Sequence, residues 1–173
     1  VWTSQGSGEA RILGKERVTL PNGPAFVVLP AADAPWPEAS RRELGQQFVG
    51  YDLDAQQRPT FRYVCDGVTI TDAPLDRPVA GAAAEAKPML RRTLQFASAV
   101  DKVLSFRAAR DARIDDLGEG VVHVGAHLRL RLPPSSSFRI RPAGAERELL
   151  VAIPIEQGRA ELVVEYTWHE AAK

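Results

Sequence analysis

The chain has 173 residues, 45% of them hydrophobic, and 22 lysines and arginines balance 22 aspartates and glutamates. That length suits one domain with a real core, and a formal charge of zero gives no electrostatic reason to expect nucleic acid or an anionic membrane as a partner. A single cysteine, Cys65, excludes an internal disulfide, a multi-thiolate metal site and CxxCH haem attachment within the chain, and no apolar run approaches the ~20 residues of a membrane helix.

Residues 1–8 have the composition of a flexible arm, with one aromatic, Trp2. Residues 9–20 read as a weak strand pair, and Pro21-Asn-Gly-Pro24 as a turn, because proline and glycine supply the fixed and the positive φ. Ala25–Leu29 is a short apolar run that fits a buried strand. Three prolines in 30–40 rule out long regular structure there. Ser40 followed by Glu43 is a capping-box signal for one helical turn over Arg41–Gln46.

The stretch Phe48–Thr71 predicts a β-meander. Val49, Tyr51 and Leu53 alternate with Gly50 and Asp52, Phe61, Tyr63 and Cys65 with Arg62 and Val64, and Val68 and Ile70 with Thr69 and Thr71. Each run therefore offers one apolar and one wetter face. Asp54–Pro59 is a polar turn, and Asp66-Gly67 is a hairpin signal. Residues 76–88 are rich in small side chains and predict a mobile loop.

Strand patterns resume at Met89–Ala97 and Val103–Ala108. Residues 109–120 are charged and read as irregular. His127–Leu132, Phe138–Arg141, Glu148–Ile155 and Ala160–Trp168 then follow at close spacing. Arg129, Arg131, Arg139 and Arg141 form a stripe expected to face Glu161 and Glu165 on the solvent side. The sum is an all-β chain, an antiparallel β-sandwich of roughly ten to thirteen short strands with little helix, in one domain spanning 1–173. No segment of helical period is long enough for a parallel crossover.

Few residues advertise chemistry. His123 and His127, in HVGAH, would lie on one side of an unbroken strand and are the candidate metal ligands. No third ligand is assigned, and surface histidines are the plainer reading. Asp115–Gly120 is acidic but lacks the alternating ligand spacing of a calcium loop. Cys65 on an apolar strand face reads as core, not as a nucleophile. No nucleophile elbow, phosphate loop or dinucleotide fingerprint occurs, so no catalytic residue is assigned and no cofactor is expected. Trp2, Trp36 and Tyr51 are the candidate contact residues for a partner or a sugar ring. Trp36, in Ala34-Pro-Trp-Pro37, looks the most exposed.

Several phrases occur together: Val1-Trp-Thr-Ser-Gln-Gly6 with Leu13-Gly14, Leu20–Phe26, Ala34-Pro-Trp-Pro37, Phe48–Asp54, Arg58–Tyr63, Gly67-Val68, Leu90–Leu94, Phe106–Ala109 and Glu165-Tyr-Thr-Trp168. In these the chain resembles the β-rich region that accompanies c-type cytochrome modules in large secreted proteins of planctomycete- and verrucomicrobium-like bacteria. The resemblance spans nearly the whole chain, but its motifs are structural and carry no catalytic residue. It implies a periplasmic or secreted location. It also implies a non-catalytic accessory domain that docks on or stabilises a c-type cytochrome or a larger membrane-associated electron-transfer complex. The alternatives are a carbohydrate-binding module of a secreted sugar-oxidising protein, suggested by the sandwich class and the aromatics, and a metal-dependent enzyme resting on His123 and His127. A large exposed apolar patch would favour the first, an aromatic platform on one sheet face the second, and a third ligand beside the histidines the third.

Overall fold

The structure is a computed structural model that describes residues 20–76 and 89–168. The arm at 1–8, Trp2, the strand pair expected over 9–20 apart from Leu20, and the loop expected at 76–88 beyond Asp76 lie outside the described residues.

Among the described residues, twelve strands form two antiparallel sheets. They are β1 (Phe26–Val27), β2 (Gln47–Leu53), β3 (Pro59–Cys65), β4 (Val68–Asp76), β5 (Met89–Ala97), β6 (Lys102–Asp111), β7 (Ile114–Asp116), β8 (Val121–Val124), β9 (Leu128–Arg131), β10 (Ser137–Ala143), β11 (Glu146–Ile155) and β12 (Arg159–Trp168). The smaller sheet runs β1-β6-β11-β10, and the larger runs β2-β3-β4-β5-β12-β9-β8-β7. The expected all-β sandwich is what forms.

The turns follow from local chemistry. Asp66 and Gly67 both take positive φ, the two-residue hairpin that joins β3 to β4. Ser40 and Glu43 make the capping box: Glu43 Oε2 accepts from Ser40 N and Ser40 Oγ, each at 2.7 Å. The segment after it stays a turn, too short for a helix. Residues 109–120, expected to be irregular, instead contain the end of β6 and all of β7.

The main core fills the space between the sheets. Val68, Ile70, Leu94, Phe96, Leu162, Val164 and Tyr166 from the larger sheet meet Leu104, Phe106, Leu149, Val151 and Ile153 from the smaller. A third layer lies on the other side of the smaller sheet, where the loop after β1 folds back. Trp36 packs there with Val27 and Leu150, with Leu29 and Leu44 around them.

Candidate functional site

The larger sheet is wider than the smaller one, and its inner face changes character toward the β2 edge. Cross-strand pairing puts Phe61 beside Asp72 and Tyr63 beside Ile70, so the β3 aromatics share the inner face with the core. Ile70 is fully buried, while Phe61 and Tyr63 are half-buried. On β2 cover is lost: Phe48, Val49, Tyr51 and Leu53 are 55%, 55%, 57% and 48% exposed. The smaller sheet does not reach that far.

A bulge decides which β2 residues sit there. The β2–β3 register shifts between Phe48 and Gly50, so Phe48 pairs with Tyr63 and Tyr51 with Phe61. Three residues apart, Phe48 and Tyr51 would face opposite ways in an unbroken strand; the extra residue returns both to one face. The result is two tilted aromatic pairs, Phe48–Tyr63 at 5.6 Å and Tyr51–Phe61 at 6.1 Å between ring centroids. The alternation read from sequence, with Val49, Tyr51 and Leu53 in one apolar row, is corrected at its start: the phase changes at Val49, so Phe48 joins Tyr51 on one face.

The four sheet edges are not alike. On β1 the Phe26 carbonyl is engaged by the Gln46 amide at 2.6 Å and the Cys65 thiol at 3.3 Å. On β10 the edge carries Arg139, Arg141 and Pro142, and β7 has three residues, two of them aspartates. These are the devices by which native edges avoid stray pairing. The seven residues of β2 have one charge, Asp52, and Arg62 neutralises it at 2.6 Å.

Beneath the overhang lies a buried polar network. Arg92 donates to Asp72 through Nη2 at 2.6 Å and Nε at 3.2 Å, and through Nη1 to the Tyr166 hydroxyl at 3.3 Å. Its guanidinium lies 5.7 Å from the Phe106 ring centroid. Burial raises the Tyr166 phenol above its usual range against the opposing pull of Arg92. Tyr63 is also raised, first by burial and then by the nearby Asp72 charge. Arg92 on β5 thus bonds Asp72 on β4 and Tyr166 on β12, so the network reads as a structural tie between the three strands.

The candidates from sequence are scattered. Tyr51 is exposed on the aromatic overhang, as a contact residue must be. Trp36 is corrected: it is 9% exposed, donates through Nε1 to the Pro24 carbonyl at 3.2 Å, and takes the Arg107 guanidinium on its ring at 4.9 Å. The prolines around it made the segment look like an exposed loop, but they shape a lid whose tryptophan points inward. His123 is on β8, paired with Asp115 and Arg129, while His127 falls in the turn beyond Gly125, whose φ is 62°. The expected common strand face ends at Val124, and among the described residues no three His, Cys, Asp or Glu side chains converge as a metal site. The arginine stripe is split as well: Arg129 and Arg131 lie on β9 in the larger sheet, where Arg131 pairs with Glu165, while Arg139 and Arg141 belong to β10, where Arg141 bonds Glu148. Cys65 is core, its thiol pushed up to about 11 by burial. No family model, curated protein or solved structure matches the chain.

Proposed function

We propose that the chain is a non-catalytic interaction domain that docks through the β2 edge and the aromatic overhang beside it. The observation that carries the reading is four half-exposed apolar side chains on β2, an edge strand that among the described residues has no further strand beside it and a single, paired charge. Aromatic anchors beside open backbone donors and acceptors suit a protein partner, which can cover the rings and extend the sheet. The partner we propose is a c-type cytochrome or the electron-transfer complex that holds one, in a periplasmic or secreted setting. That part rests on the sequence resemblance alone.

The test is co-isolation from the producing organism with the native chain and with Phe48→Ser and Tyr51→Ser. Both side chains are about half-exposed and each belongs to one aromatic pair, so each variant should lose only about 1–2 kcal/mol of stability. Each should weaken recovery of the haem protein about tenfold or more, the usual effect of removing an aromatic anchor. Undiminished recovery with both variants would refute the surface, and a chain recovered without a haem protein would refute the partner.

A further inference from the structure

The backbone of β2 narrows the kind of partner its edge can take. In an antiparallel pair, opposed residues alternate: one pair exchanges both N–H···O bonds, and the next turns its N–H and C=O groups outward, away from the partner strand. Asp54 N donates to the Arg58 carbonyl at 3.1 Å, so Asp54 and Arg58 are a bonded pair. One step along, Leu53 faces Pro59, which has no N–H to give. Leu53 and Pro59 are therefore an unbonded pair, Asp52 and Thr60 a bonded one, and Tyr51 and Phe61 again unbonded.

The far side of β3 agrees. The hairpin at Asp66-Gly67 closes on Cys65 and Val68, the bonded pair of a two-residue loop, and an even number of steps along the register makes Phe61 and Asp72 bonded too. Phe61 thus turns its backbone to β4, and Tyr51 turns its own to the open side. Tyr51 and Leu53 each point an N–H and a C=O out of the sheet, and among the described residues no strand or side chain meets them there. The bulge at Val49 breaks the outward row above Gly50, so these two residues are the regular part of the edge.

Donors and acceptors repeated about 6.8 Å apart along a line match the backbone of another extended chain. A helix presents no such repeat, because its backbone bonds are spent internally. The side chains of Tyr51 and Leu53 share the ring side of the sheet, with Phe48 and Phe61. An incoming strand sets alternate side chains beside them, where apolar ones are favoured. On the opposite face Asp52 already holds Arg62 at 2.6 Å, so no charge is called for there. From the outward backbone of Tyr51 and Leu53 and the apolar face they share, we infer that the partner presents an extended segment that adds to β2 as a further strand of the larger sheet, free of proline where it meets Tyr51 and Leu53 and apolar on the ring side. Such a contact presupposes the β2 docking edge proposed above, and adds that the main chain is recognised as well as the rings.

The test places Leu53→Pro beside Leu53→Ala in the co-isolation experiment. Both lose the leucine, but only the proline loses the outward N–H and sets a ring in the path of the added strand. The bonds to β3 are untouched, since Leu53 donates none there. Leu53→Ala should lower recovery of the haem protein by less than about threefold, and Leu53→Pro by about tenfold or more. Should circular dichroism show that the proline unfolds the chain, amide hydrogen exchange on the native complex decides. The Tyr51 and Leu53 amides should slow by about tenfold or more on binding, while Asp52, already bonded to Thr60, should not change. Equal recovery of the two Leu53 variants, or unchanged exchange at Tyr51 and Leu53, overturns the inference. Docking itself is judged by Phe48→Ser and Tyr51→Ser. Loss with these two alone leaves the ring surface standing without strand addition, and loss with none of the four variants refutes both.

Discussion

Asp72→Ala removes the only carboxylate that, among the described residues, bonds the almost wholly buried Arg92 guanidinium. Arg92 and Asp72 are 8% and 5% exposed, and they meet through two parallel hydrogen bonds. Without Asp72, Arg92 keeps one long bond to Tyr166 and a ring contact with Phe106. Removing one partner of such a pair costs about 3–5 kcal/mol, chiefly because the remaining charge is stranded. In a chain of this size that lowers Tm by roughly 6–20 °C. The paired replacement Asp72→Leu with Arg92→Met removes both charges but strands the buried Tyr166 hydroxyl, and it should cost less than the single replacement. Urea unfolding followed by circular dichroism measures all three chains. A single variant losing less than about 1 kcal/mol, or a double variant worse than the single, would show that the network does not carry buried charge in the way argued.

Other expectations follow from particular contacts. Gly120 has a φ of 74°, and a Cβ there would meet the Leu132 carbonyl at 2.4 Å, so Gly120→Ala should cost about 2 kcal/mol or more in the same assay. Trp36→Ala removes a ring packed on Val27 and Leu150 and frees Arg107, and should cost about 3–5 kcal/mol, where an exposed loop tryptophan would cost almost nothing. The Cys65 thiol, raised by burial to about 11 from 9.0, should resist maleimide labelling at neutral pH until urea unfolds the chain. Because its folded pKa is the higher one, the protonated form stabilises the fold below about pH 9, and that contribution fades as pH rises towards 11. Cys65→Ala should therefore show a shallower loss of stability than the native chain across that window, measured by urea midpoints.

Much of this fold is written in local pattern. The Asp66-Gly67 hairpin, the bounds of β5 and the Ser40–Glu43 capping box each depend on residues a few positions apart, and each forms as its sequence predicts. What escapes the sequence depends on distant partners. Asp72 and Arg92 are 20 residues apart, and Arg92 and Tyr166 are 74 apart, so nothing local marks their burial. Glu148 gives a fainter signal, since it opens an unbroken run of buried residues on β11 and needs a cation beside it. The bulge at Val49 has no strong marker beyond Gly50, yet it sets which face Phe48 occupies. The exposure of β2 is less legible still: it reflects the widths of two sheets, a property of topology and not of any strand's own alternation.

The most direct test of the docking account is a photo-crosslinking residue placed at Tyr51, with a second placed at Glu161 on the solvent face of the same sheet as the control. Expressed in the producing organism, the Tyr51 position should join the chain to a haem-bearing protein, and the Glu161 position should not. Equal capture from both positions, or capture of no haem protein from Tyr51, would contradict the account.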